Sequence, residues 1–117
     1  MEKVEIIKNQ NEIVKCIINT VDINRIYIFG SYARCEQTED SDVDLYIILK
    51  DENILKNMQD RLDISYKIKE NLIKKNLYFR MDLLLSTQKK YDLKKNVNGC
   101  IEYIVEREGI CIYEENW

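Results

Sequence analysis

The chain of 117 residues contains no histidine and no proline. Without histidine, every Ser-His and Cys-His nucleophile scheme is excluded. A zinc site loses its commonest nitrogen ligand. Acid–base work therefore falls to Asp, Glu, Lys, Tyr or water. No run of about 18 apolar residues exists, so no membrane span is expected. The N-terminus, Met1-Glu2-Lys3-Val4-Glu5, lacks the apolar core of a signal peptide, and the cytosol is the expected compartment. Cys16, Cys35, Cys100 and Cys111 form no C-x-x-C pair, which argues for free thiols rather than a disulfide framework. A net charge of −3 gives no case for direct nucleic-acid or membrane binding.

What is present suits one small globular domain, 45% hydrophobic and 33% charged. Residues 2–21 space their apolar side chains as an amphipathic helix does, with Asn9 or Asn11 breaking or capping it. Arg25–Phe29 reads as a strand covered on both faces. Gly30-Ser31 ends it. A short helical turn over Tyr32–Glu36 and a polar loop over Gln37–Ser41 follow. Asp42–Leu49 reads as a second central strand. Asp51 is the expected N-cap of a helix running to Lys75, with a break near Asp63–Ser65. Leu77–Leu85 is a third strand with Asp82 at its middle. Helices over Gln88–Lys95 and Cys100–Glu108 precede Gly109, a helix-ending residue, and a last strand at Ile110–Tyr113. This order predicts an α/β (α+β) domain, a small mixed sheet with helices packed on it.

The chemistry is concentrated at residues 26–49. On a strand, Asp42 and Asp44 share a face, with Cα atoms roughly 6–7 Å apart. Two carboxylates on one face repel unless a cation lies between them, and paired Mg²⁺ ions about 3.5–4 Å apart suit such a pair. Asp82, set among Met81, Leu83, Leu84 and Leu85, is the candidate third ligand. A buried Asp needs a partner, either a metal or Arg80. Gly30 lets the backbone approach a ligand. The amides of the following turn and the Ser31 hydroxyl suit a phosphate, and Arg34 adds charge. Each motif alone is common; their order and spacing give the reading its force.

Gly30-Ser31-Tyr32-Ala33-Arg34, followed by Ser41-Asp42-Val43-Asp44-Leu45, resembles the signature of the DNA polymerase β-type nucleotidyltransferases. The chain's size and its ending, Ile101-Glu102-Tyr103 through Glu108-Gly109-Ile110-Cys111-Ile112-Tyr113-Glu114, resemble the minimal nucleotidyltransferases of that superfamily, as a single domain over residues 1–117. The resemblance implies a metal role for Asp42, Asp44 and Asp82, which would hold two Mg²⁺ ions. It implies a nucleotide role for Gly30 and Ser31, with ATP as substrate. Where the family usually has Gly, this chain has Cys35, a strained choice if the backbone there needs positive φ.

Small members of the family resemble the antitoxin half of toxin–antitoxin pairs. That implies transfer of AMP from ATP to a Tyr of a helical HEPN-type toxin partner. The short chain leaves no room for a second, acceptor-binding domain, which fits an acceptor on another chain. Two alternatives stand: a non-catalytic antitoxin that binds its partner and keeps a relic nucleotide site, and transfer to a small molecule such as an antibiotic, for which a homo-oligomer would supply the missing substrate site.

Overall fold

The computed structural model describes residues 5–115. Four strands form one mixed sheet in the order β3-β2-β1-β4: β1 is Ile23–Phe29, β2 Val43–Leu49, β3 Met81–Thr87 and β4 Ile110–Glu114. β1 pairs antiparallel with β2 and with β4, while β2 and β3 run parallel. Helices α1 (Gln10–Thr20), α2 (Met58–Lys74), α3 (Gln88–Lys94) and α4 (Ile101–Glu108) complete the chain. The α/β architecture is the one the sequence predicts.

The two-residue period of β2 divides the interior. Val43, Leu45, Ile47 and Leu49 point to one side, where Ile13, Ile17, Ile68 and Leu72 of α1 and α2 join them in the larger core. Tyr46 and Ile48 point to the other, where they meet Phe29, Tyr91 of α3 and Val105 of α4. Full burial of each aliphatic side chain stabilises the fold by roughly 1.5–3 kcal/mol.

Several boundaries differ from the sequence reading. α1 begins at Gln10, after Asn9 at φ +61. The buried Gln10 side chain accepts the Ile6 and Ile7 amides, which holds residues 6–9 as a turn rather than helix. Residues 2–4 of the expected helix, and the Asn116–Trp117 end of the tail, lie outside the described residues. α2 is capped by Asn57, whose side chain accepts the Asp60 amide at 2.9 Å. Asp51 makes an Asx turn instead, accepting the Asn53 amide. α2 runs unbroken through Asp63–Ser65. It ends in a Schellman arrangement: Asn76 at φ +57, with Asn76 and Leu77 amides returning to Ile73 and Leu72 carbonyls. That stop takes Leu77–Arg80 out of β3, so Asp82 lies second in its strand rather than at the middle. Gly109 does end α4, but at φ −68. A Cβ there would stand 2.4 Å from the Val105 carbonyl oxygen, so close approach is what requires glycine.

Candidate active site

β1 ends at Phe29, which pairs with Asp44 on β2. The next residue, Gly30, turns the chain at φ +76. A Cβ on Gly30 would stand 2.2 Å from Asp44 Oδ2. The carboxylate of Asp44 therefore lies directly over the glycine backbone. Positive φ and lack of space both demand glycine here. Turn and carboxylate, separate in sequence, form one site.

Asp44 pairs in register with Asp82 on the parallel neighbour β3. Strands in this arrangement lie about 4.8 Å apart, so the two carboxyl groups face each other. Burial pushes the Asp44 carboxyl above the ordinary carboxylate value, the charge of Asp82 and a hydrogen bond to it add to the effect, Asp42 contributes, and Arg34 opposes. Two carboxylates this close repel one another. A cation would relieve the same repulsion, so the pair fits a divalent metal.

Asp42 departs from the expected arrangement. It precedes the first residue of β2 and is exposed. Its Oδ1 lies 3.4 Å from Arg80 Nε, while Arg80 Nη1 lies 3.5 Å from Asp40. The sequence offered Arg80 as a partner for Asp82; the guanidinium instead takes the two acids at the end of the preceding loop. Asp82 is exposed, not buried. Among the described residues no group of three Asp, Glu or Cys is gathered as a metal cage. Asp44 and Asp82 are brought together, and Asp42 stands aside in an ion pair.

The turn after Gly30 also differs from expectation. No helix forms over Tyr32–Glu36. Ala33 and Arg34 amides return to the Gly30 carbonyl, Cys35 to Tyr32 and Glu36 to Ser31. Cys35 sits at φ +58, the left-handed region, and this stops the turn from continuing. No helix N-terminus forms here, and the amides of the turn with the Ser31 hydroxyl remain as the donors for a phosphate. Arg34 is exposed and is held by Glu36 at 2.8 Å and Glu108 at 3.8 Å.

The sequence reading missed a second layer beneath the pair. Tyr46 hydroxyl donates to Glu102 Oε2 at 2.7 Å, and Tyr91 hydroxyl donates to Glu106. Tyr91 stacks on Tyr27 and tilts against Tyr46, with 5.7 Å between centroids in both cases. Nothing local could signal partners this far apart in sequence. None of the four cysteines is in a disulfide, and Cys35 is the exposed one.

Comparison with known proteins identifies the family. The family described as "Polymerase beta, Nucleotidyltransferase" matches residues 11–116. A Methanocaldococcus jannaschii protein carrying the name "Putative protein adenylyltransferase" is 36% identical over 75 residues, spanning 62% of this chain and 75% of the relative. Among solved structures, a protein of Sulfolobus solfataricus described as a "putative nucleotidyltransferase" superposes with a TM-score of 0.62 at 18% identity, covering 98% of this chain and 93% of its own. A toxin–antitoxin structure with AMP-PNP gives 0.60 at 21% identity, covering 92% and 75%. A mutant of the MntA–HpeT toxin–antitoxin pair gives 0.58 at 19%, with the same coverage. At these identities the solved structures speak for the fold alone. The family match over nearly the whole chain goes further: the chain belongs to the polymerase β nucleotidyltransferase family and is a nucleotidyltransferase.

Proposed function

We propose that the chain transfers AMP from ATP to a hydroxyl, most simply a Tyr, of a partner protein, as the antitoxin of a helical HEPN-type toxin. The observation that carries the reading is the Asp44 carboxylate seated over Gly30 and facing Asp82. The relative named as a protein adenylyltransferase and the toxin–antitoxin structures support the acceptor class and the partner.

In this reading Asp44 and Asp82 would hold Mg²⁺, and Asp42, now paired with Arg80, would be the third ligand. Two bound ions would supply charge neutralisation at the triphosphate and a lowered pKa for the acceptor hydroxyl. Gly30 lets the backbone approach the phosphates, and Ser31 donates its hydroxyl to them. Asp82, exposed at the site's outer edge, orients the acceptor hydroxyl and takes its proton. Arg34 lies within electrostatic reach of Asp44, and its charge favours the anionic nucleotide. As the acceptor oxygen bonds to the α-phosphorus, the bond to the bridging oxygen breaks and pyrophosphate leaves.

The test is label transfer from α-labelled ATP with Mg²⁺ and the product of the neighbouring gene, where an all-helical protein with an Arg-x-x-x-x-His motif is expected. Wild type labels the partner. Asp42→Asn with Asp44→Asn loses at least about a thousandfold, the scale of several kcal/mol of lost charge stabilisation. Equal labelling by both would end this reading.

Two observations favour a second reading, a binding antitoxin with a relic site: Cys35 at φ +58 and Asp42 engaged by Arg80. Failure of the wild type to bind Mg²⁺–ATP at millimolar concentration would select it. Transfer to a small molecule would show instead as label in the low-mass fraction.

A further inference from the structure

Beneath the carboxylate pair lies a buried polar group that the transfer scheme does not use. Tyr46 stands two residues beyond Asp44 on β2 and so on the same face. It is 1% exposed, and its hydroxyl donates to Glu102 of α4, which is 3% exposed. Ser86, also 1% exposed, lies four residues beyond Asp82 on that face of β3 and adds a hydroxyl beside the phenol oxygen. Burial raises the Tyr46 phenol pKa, Ser86 opposes this, and the bond to Glu102 adds to it.

A carboxylate this deep is costly unless hydrogen-bonded, and an apolar pair would fill the same space without that cost. What the polar pair supplies is a fixed geometry between elements. Here the elements are the ones that form the site. Glu102 ties the start of α4 to the strand of Asp44. At the other end of α4, Glu108 lies 3.8 Å from Arg34, in the turn that follows Gly30. Between them Glu106 accepts the Tyr91 hydroxyl from α3. One short helix therefore braces both halves of the site.

We propose that Glu102 is a positioning residue: through the Tyr46 hydroxyl it fixes α4 against β2 and so sets Asp44 relative to Asp82 and the Gly30 turn for cation binding. The proposal rests on the reading of Asp44 and Asp82 as cation ligands. Groups hydrogen-bonded directly to metal ligands typically change affinity 10–100-fold when removed, so a residue acting one contact further back is expected at the lower end of that range.

The experiment is calorimetric titration with Mn²⁺, paired with urea unfolding, on the full chain. The variants are Glu102→Ala, Glu102→Gln and Tyr46→Phe, with Ile47→Ala as a control destabilised on the opposite face of the same strand. Glu102→Ala and Tyr46→Phe are expected to weaken Mn²⁺ binding by about tenfold. Glu102→Gln keeps an acceptor for the Tyr46 hydroxyl and stays within about threefold of wild type. Ile47→Ala loses stability but keeps wild-type affinity. Should Glu102→Ala fail to fold, Tyr46→Phe, which removes a single hydroxyl, decides. Unchanged affinity in Tyr46→Phe would make the bond merely structural and overturn the proposal. Equal loss in Ile47→Ala would overturn it too, by tracing the effect to stability. A wild type that binds no Mn²⁺ would remove the cation reading itself, and this inference with it.

Discussion

The two sides of the sheet are made by the same strands and built on different principles. The α1–α2 side is aliphatic: Val43, Leu45, Ile47 and Leu49 of β2 close against Ile13, Ile17, Ile68 and Leu72. The α3–α4 side has Asp44, Tyr46 and Ile48 from that same strand, and its interior joins tyrosine hydroxyls to glutamates before opening onto the acids. Stability is concentrated on the first side. On the second, part of that stability is given up for a fixed polar arrangement. A strand period of two residues lets one segment serve both ends, so neighbouring substitutions should act in opposite directions.

The largest effect should come from the aliphatic side. Ile47 is fully buried in the central strand, and Ile47→Ala is expected to cost about 3 kcal/mol in urea unfolding, the usual range for such a cavity. Nucleotide affinity below the transition should remain that of wild type. A parallel loss of affinity would break the separation of the two sides.

Three residues away, Asp44→Asn should stabilise the metal-free protein at neutral pH. The Asp44 carboxyl has a folded pKa above its ordinary 3.8, so the folded state holds its proton more tightly than the unfolded state. That contribution is present at low pH and is lost as pH rises through the folded value. In chelator, wild type should therefore fall below Asp44→Asn as pH rises out of the acid range. The gain at pH 7 should be about 0.5–1 kcal/mol, the scale of like charges facing across strands. Parallel pH profiles for the two proteins would contradict the facing-carboxylate geometry.

Cys35→Gly comes next. An L-residue at φ +58 is strained, and glycine relieves that at an entropic cost, for an expected net gain of about 0.5 kcal/mol. Thermal unfolding in reductant measures it, and a loss would mean that the Cys35 side chain contributes contacts of its own. The smallest effect belongs to Arg80→Met, which frees Asp42 from an exposed ion pair. Such pairs amount to about 0.2–1 kcal/mol, so Mn²⁺ should bind roughly twofold more tightly. Weaker binding would show that Arg80 supports the site rather than competing for it.

Much of this was legible in the sequence because it is local. The apolar run of Val43–Leu49, the Gly30 turn and the acid at 82 marked the strands in their order along the chain and the candidate residues of the site, while the order of strands across the sheet carried no local mark. The misreadings came from choices made over a distance or by a single backbone angle. Asp42 lies one residue outside its strand because β2 begins where the Val43 amide meets the Arg80 carbonyl. Arg80 chose Asp42 and Asp40 over Asp82, which only the loop's path decides. The Schellman stop at Asn76 moved β3 and placed Asp82 at its open end. Tyr46 and Glu102 carry no local mark of each other; only the folded sheet and α4 bring them together.

The central claim is that Asp44, over Gly30 and opposite Asp82, forms a centre for a metal-bound nucleotide. Calorimetric titration of Mg²⁺ with a non-hydrolysable ATP analogue into wild type and Asp44→Asn tests it most directly. The account predicts saturable binding by wild type that is lost in the variant while its fold is retained. Absence of binding by wild type, or equal binding by both proteins, would contradict it.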